Sequence, residues 1–138
     1  MKKHVIVAAT SLVLALAACE KGGEQFQVKG EIAEAADKVL YFESAALDGI
    51  HVLDSVKLDK RGAFAFKPKR PDGPDFYRLR IGGQVINLGI DSTEVVTVKG
   101  ALPSLATGYT VSGSVESEKI KELSAKQMAL QEQIRQLA

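Results

Sequence analysis

Between residues 26 and 113 the apolar residues recur at every second position in short runs, and each run is cut by glycine, proline or aspartate. Successive side chains of an extended strand point to opposite faces, so this pattern makes half-buried strands. A helix needs apolar spacings of three and four, and none survives in that segment. Phe26, Val28, Gly30 and Ile32 alternate with Gln27, Lys29 and Glu31, which predicts a first strand with one buried face. Val39, Leu40, Tyr41 and Phe42 are apolar on both sides, as a more central strand requires. Residues 50–58 form the next strand, and Asp59-Lys60-Arg61-Gly62 is read as a tight turn that makes a hairpin with Ala63-Phe64-Ala65-Phe66-Lys67.

Three of the four prolines, Pro68, Pro71 and Pro74, fall in one short stretch. Proline removes a ladder donor, so this stretch is placed in a loop outside the sheet. Phe76 to Ile81 alternates again, Gly82-Gly83 makes a turn, and residues 84–90 return. Asp91-Ser92-Thr93-Glu94 is a further turn, followed by strands at residues 95–99 and 109–112. Seven or eight short strands without helical crossovers predict an all-β antiparallel β-sandwich. Phe64 with Phe66, and Tyr77 with Leu79 and Ile81, are expected to line its core.

The period then changes. Ile120, Leu123, Gln127, Leu130, Ile134 and Leu137 recur at spacings of three and four, which predicts one C-terminal amphipathic helix over residues 114–138. Ser114 stands at the N-cap, Glu116 and Glu118 lie in the first turn, and Glu122 with Lys126 makes an i, i+4 pair.

The N-terminus is of another kind. Lys2 and Lys3 precede an uncharged stretch from residue 5 to residue 18, the charged and apolar regions of a secretory signal. At about 14 residues the stretch is shorter than the roughly 20 a membrane-spanning helix needs. Leu16-Ala17-Ala18-Cys19 resembles the lipobox of bacterial lipoproteins. The resemblance implies cleavage between Ala18 and Cys19 and lipid, such as palmitate, on Cys19, with residues 19–25 as a flexible tether. The chain is expected to be exported and lipid-anchored, preferably to the outer membrane, facing the periplasm or the exterior. Lys2 and Lys3 account for two of the 18 Lys and Arg, against 17 Asp and Glu, so the mature part is nearly neutral. That balance gives no electrostatic grip on nucleic acid. Cys19 is the only cysteine, so an oxidising compartment offers this domain no internal disulfide.

Chemistry-bearing residues are sparse. His51 has Asp48, Asp54 and Ser55 nearby in sequence, but neighbours along a strand alternate faces and do not converge as a Ser-His-Asp triad must. Asp72, Asp75 and Asp91 lie in or beside loops and match turn chemistry rather than a calcium loop. Lys67, Lys69 and Arg70, followed by Arg78 and Arg80, are read as a solvated basic face, with an anion-binding patch as the functional alternative. No helix follows Gly82-Gly83, so it is a turn and not a phosphate cradle. The expectation is no catalytic residue, no metal and no cofactor.

Phe26-x-Val28-x-Gly30-x-Ile32, Asp54-Ser55-Val56, Gly62-x-Phe64-x-Phe66, Phe76-Tyr77-x-Leu79, Asp91-Ser92-Thr93-Glu94 and Gly113-Ser114-x-x-Ser117 occur in that order. This arrangement resembles the β-rich domain of unknown function at the N-terminus of Bacteroidetes-type lipoproteins, which is frequently followed by a thioredoxin-like domain. The resemblance implies a thiol-disulfide oxidoreductase activity that resides in the thioredoxin-like domain. With no cysteine after position 19, the present chain lacks the thiolate that such exchange requires. The reading is therefore a lipid-anchored, non-catalytic interaction or positioning domain over residues 26–113. The alternative is the N-terminal part of an oxidoreductase whose redox domain is absent here, with the C-terminal helix leading to that domain or to another protein partner.

Overall fold

The computed structural model describes residues 25–138. The leader over residues 1–18 and the lipid-attachment reading of Ala18 and Cys19 fall outside them. Eight strands occur in the order β1 (Gln27–Ala33), β2 (Val39–Ala46), β3 (Gly49–Lys57), β4 (Ala63–Phe66), β5 (Asp75–Ile81), β6 (Gln84–Ile90), β7 (Val95–Ala101) and β8 (Thr110–Ser112). A one-turn helix α1 (Leu105–Gly108) precedes β8, and the long helix α2 (Val115–Leu137) follows it. The fold is mostly β. Its strands form two four-stranded sheets, ordered β4-β1-β7-β8 and β3-β2-β5-β6.

Both sheets contribute to one hydrophobic core. Phe26, Val28, Ile32, Phe64, Phe66, Val96 and Val98 come from the first, and Leu40, Phe42, Tyr77, Leu79, Ile81, Ile86 and Leu88 from the second. The expected inward sets, Phe64 with Phe66 and Tyr77 with Leu79 and Ile81, are buried. The aromatic rings meet at the centre. Phe42 stacks on Phe66 at 5.4 Å and on Tyr77 at 5.4 Å, and Phe26 lies 5.0 Å from Tyr77. Such pairs add about 0.5–1.5 kcal/mol each beyond area burial.

Three expectations need correction. The pairing is mixed and not purely antiparallel, because β1 runs parallel to β7 from Gln27↔Val95 to Ala33↔Ala101. Strands β3 and β4 do not form a hairpin: β3 pairs with β2, and β4 pairs with β1 in the other sheet. The turn between them is as tight as expected, with the Asp59 carboxylate accepting from the Arg61 and Gly62 N–H groups at 2.9 and 3.0 Å. Its end is bound to β1, since the Ile32 N–H donates to the Gly62 carbonyl at 2.9 Å. Gly62 has φ 66°, and a Cβ there would lie 1.8 Å from the Ile32 carbonyl oxygen, so only glycine brings the chain across. Finally, residues 26–113 do contain helix, the single turn α1. Leu105 is buried in it, and its N–H donates to the Gln84 side-chain oxygen at 2.8 Å.

Helix α2 begins as expected at Ser114, whose Oγ accepts from the Ser117 N–H at 3.2 Å. The same turn seals the outer edge of β6. The Ser114 and Ser117 hydroxyls donate to the Gly89 carbonyl at 2.7 and 2.9 Å, and the Gly89 N–H donates to Ser117 Oγ at 3.1 Å. A Cβ on Gly89 would lie 3.0 Å from Glu116 Cβ and 3.1 Å from Ile120 Cδ1, so the close approach depends on glycine. Leu123 and Leu130, two members of the row spaced by three and four, are exposed. The opposite edge of that sheet, β3, has no neighbouring strand beyond it among the described residues.

Candidate functional site

Strands β2 and β5 pair antiparallel, which sets Glu43 opposite Arg78 and Tyr41 opposite Arg80. All four alternate with the core residues Leu40, Phe42, Tyr77 and Leu79, so they share the outward face. An outward residue is ordinarily solvated, yet Glu43 is only 2% exposed. Arg78 Nε donates to Glu43 Oε1 at 2.6 Å, and Arg80 Nε donates to both carboxylate oxygens at 3.1 Å. The Arg80 guanidinium also lies 4.4 Å from the centre of the Tyr41 ring and donates to the Gly82 carbonyl at 3.3 Å. Stacking and the fork-shaped donor set hold Arg80 in place, as a lysine ammonium would not.

Burial by itself would push the Glu43 carboxyl up. The hydrogen bonds and positive charges of Arg78 and Arg80 outweigh it and hold the group below the ordinary carboxylate value. Glu43 is therefore an anion at neutral pH. Two guanidinium groups against one carboxylate leave the cluster with one net positive charge.

Exposed apolar side chains surround this cluster. Val52 lies opposite Glu43 on β3, Ile50 lies opposite Ala45, and Phe76 precedes the arginines on β5. Phe76 is 61% exposed and Val52 55%. A groove lined in part by Ala45, Leu47, Pro74 and Phe76 continues the surface to the tip of the β2–β3 hairpin. Along β3 only Val56 is even partly buried. Apolar side chains exposed along such an edge strand are surface available to a partner.

The residues singled out by sequence fall in several places. Arg78 and Arg80 are not a free solvated face but ligands of Glu43, while Lys67, Lys69 and Arg70 are exposed around the proline-rich loop. His51 Nε2 lies 3.0 Å from Asp48 Oδ1 on the exposed hairpin, and the Asp54 carboxylate accepts from the Ser55 N–H at 2.7 Å, so these residues do not assemble a triad. The His51 contact holds the Asp48 carboxyl below its ordinary value. Asp75 opens β5, and its carboxylate accepts from the Phe76 N–H at 2.8 Å. Gly82-Gly83 is the two-residue connection of the β5–β6 hairpin. Among the described residues no group of three or more His, Cys, Asp or Glu is placed to hold a metal ion, and no helix is long and apolar enough to cross a membrane.

Sequence reasoning missed Glu43. The only trace was an acid in an otherwise apolar strand, two strand-alternating arginines elsewhere, and no rule linking them. No curated protein matches the chain. A family model does match, from Phe26, whose ring opens the core, to Ile120, which touches Gly89. That match takes in every strand and the docked turn of α2, and with residues 26–120 covered the chain belongs to the family described as Domain of unknown function (DUF4369).

Proposed function

We propose that this protein is a lipid-anchored, non-catalytic interaction domain: a β-sandwich tethered through Cys19 to a bacterial membrane, preferably the outer one. On this reading it uses the outward face of the β3-β2-β5-β6 sheet to hold a protein partner. The observation that carries the reading is the exposure of Ile50, Val52 and Phe76 around the buried Glu43 cluster. Apolar side chains with a positioned pair of arginines in their midst are the composition of a protein interface. The partner that fits offers apolar side chains and a carboxylate for the unbalanced positive charge.

Photo-activated crosslinking from position 76 or 52 of the membrane-anchored protein tests this, with position 97 on the other sheet as control. The expected result is one discrete adduct from positions 76 and 52, lost on Ile50→Asp. Equal labelling from position 97 would refute the reading. The anchor is tested separately, because Cys19→Ala should abolish labelling by radioactive palmitate, and retained labelling would remove the lipoprotein assignment.

The second reading, the N-terminal part of a thiol-disulfide oxidoreductase lipoprotein, rests on the resemblance carried by the order of the sequence motifs. It requires a Cys-x-x-Cys encoded downstream of Ala138 in the same reading frame. A stop codon directly after Ala138 would eliminate it.

A further inference from the structure

Helix α2 attaches to the sheets by one face and keeps another free. Ser117 is buried, Lys121 and Ser124 are partly buried, and the Lys121 ammonium lies 5.7 Å from the centre of the Tyr109 ring. These residues form a single line along the helix. At 3.6 residues per turn, the row of Leu123, Gln127, Leu130, Ile134 and Leu137 lies roughly a third of a turn away from it. Leu123, Leu130, Ile134 and Leu137 are each more than half exposed. The docking face after Ser124 carries Met128, which is 40% exposed, and then the polar Gln131 and Arg135, so the body makes little use of the helix beyond Ser124.

The free row keeps a heptad spacing, with Gln127 and Ile134 at a positions and Leu123, Leu130 and Leu137 at d positions, while Ile120, one heptad before Gln127, is partly buried against Gly89. Isoleucine at a with leucine at d is the combination that favours two parallel strands. Gln127 sets the direction. In a parallel, in-register pair the two Gln127 side chains meet in one layer and hydrogen-bond to each other. An antiparallel pair sets each against a Leu130, leaving a buried amide without a partner. The flanks agree with this. In the parallel pair Lys119 faces Ser124 and Lys126 faces Gln131 of the second copy, so no like charges meet. Lys126 is already neutralised by Glu122 at 2.8 Å on its own helix.

We infer that α2 joins a second copy of this chain through the row Leu123, Gln127, Leu130, Ile134 and Leu137, as a parallel, in-register two-stranded coiled coil. An exposed helix of this length is marginal alone in water, and a partner seam supplies the missing burial. Both β bodies then stand at the same end of the coil.

The test uses the full chain with Cys19→Ser, extracted in mild detergent so that no native thiol competes. Sedimentation equilibrium should give twice the chain mass. Leu130→Asp should return a single-chain mass while the β body melts unchanged, because Leu130 touches none of it. Gln127→Leu should tighten association by about tenfold or more, as removal of an imperfectly paired buried amide implies. Leu137→Cys as the only cysteine should form a disulfide-linked dimer on mild oxidation. A single-chain mass overturns the proposal, as does a trimer. Crosslinking only between one chain with Leu123→Cys and another with Ile134→Cys overturns it too, since that result requires antiparallel helices.

Discussion

On the sheet ordered β4-β1-β7-β8 the outward positions form rows such as Ala65–Lys29–Thr97–Ser112 and Ala63–Glu31–Lys99–Thr110, small or polar throughout. On the sheet ordered β3-β2-β5-β6 the corresponding rows are Val52–Glu43–Arg78–Asn87 and Ser55–Tyr41–Arg80–Val85. Each face carries a glutamate and cationic neighbours, but the two glutamates are in different physical states. Glu31 is half exposed and its nearest cation, Arg61, is 3.8 Å away. Glu43 is enclosed by two guanidinium groups at hydrogen-bonding distance. Residue type and strand parity are the same for both. What differs is the cross-strand partner, so outward does not mean solvated once a sheet face carries its own packed layer.

The inward faces should behave alike, and that is the largest effect to test. Phe66 belongs to one sheet and Phe42 to the other, and they stack at 5.4 Å. Phe66→Ala and Phe42→Ala should each cost about 3–5 kcal/mol in urea unfolding. A loss confined to one of them would mean that the sheets do not share a core.

The outward faces should then diverge. Removing one member of a buried ion pair costs about 3–5 kcal/mol; the arginines here are about a quarter exposed, so solvent screening brings Glu43→Ala to about 2–3 kcal/mol. Glu31→Ala, at an exposed pair, should fall within about 1 kcal/mol of wild type. Equal costs would erase the distinction between the faces. The pH dependence carries the same contrast. The folded-state value of Glu43 is depressed, so its contribution is fully present above the unfolded value and lost as pH falls through the folded one. Glu43→Gln should therefore flatten the acid limb of the stability profile, and an unaltered limb would place the acid sensitivity elsewhere.

The two edges of the second sheet offer a finer comparison, since β6 is sealed by α2 and β3 is open. Gly89→Val forces side-chain atoms against Glu116 and Ile120, and overpacking of this kind costs about 1–3 kcal/mol. Hydrogen exchange should rise across residues 115–121 while β2 and β5 stay protected. Protection that stays unchanged would show that the seal does not depend on the glycine.

The smallest effect sits at Glu94. Burial, and after it the negative charges of Glu116 and Asp91, raise its carboxyl above the ordinary value. The native state is penalised for ionising it, so the penalty appears as pH rises through the unfolded value. Glu94→Gln should stabilise the protein at neutral pH by some tenths of a kcal/mol, within the usual range of surface changes, and have no such effect at low pH. A destabilised variant at pH 7 would mean that the Asp91 N–H contact at 3.3 Å outweighs the repulsion.

Much of this architecture is written in local alternation. Phe64 with Phe66, and Tyr77 with Leu79, could be assigned to the core because a period of two has only two faces and one of them is apolar. Ser114 could be placed at the helix start because an N-cap is a local requirement. Pairing is not local. Nothing in the residues around Gly62 says that the following strand joins the opposite sheet, because that outcome depends on the Ile32 backbone thirty positions earlier. Glu43 was unreadable for the same reason, since its burial is created by Arg78 and Arg80 on another strand. The spacing of Leu123, Leu130 and Ile134 was visible, but their distance from the docking face rests on which helix residues meet Gly89.

The parallel pairing of β1 with β7 governs the order in which the molecule can assemble. Strand β1 is interior to its sheet, yet one of its two neighbours is separated from it by almost the whole β-rich segment. A strand that emerges first from the ribosome must wait for one that emerges near the end, and such long loop closures are slow. The β2–β3 and β5–β6 hairpins close locally meanwhile, so the second sheet is able to form before the first is complete. Until β7 arrives the nascent chain has no closed core, so its apolar strand faces stay open for most of the time the β-rich segment is being made.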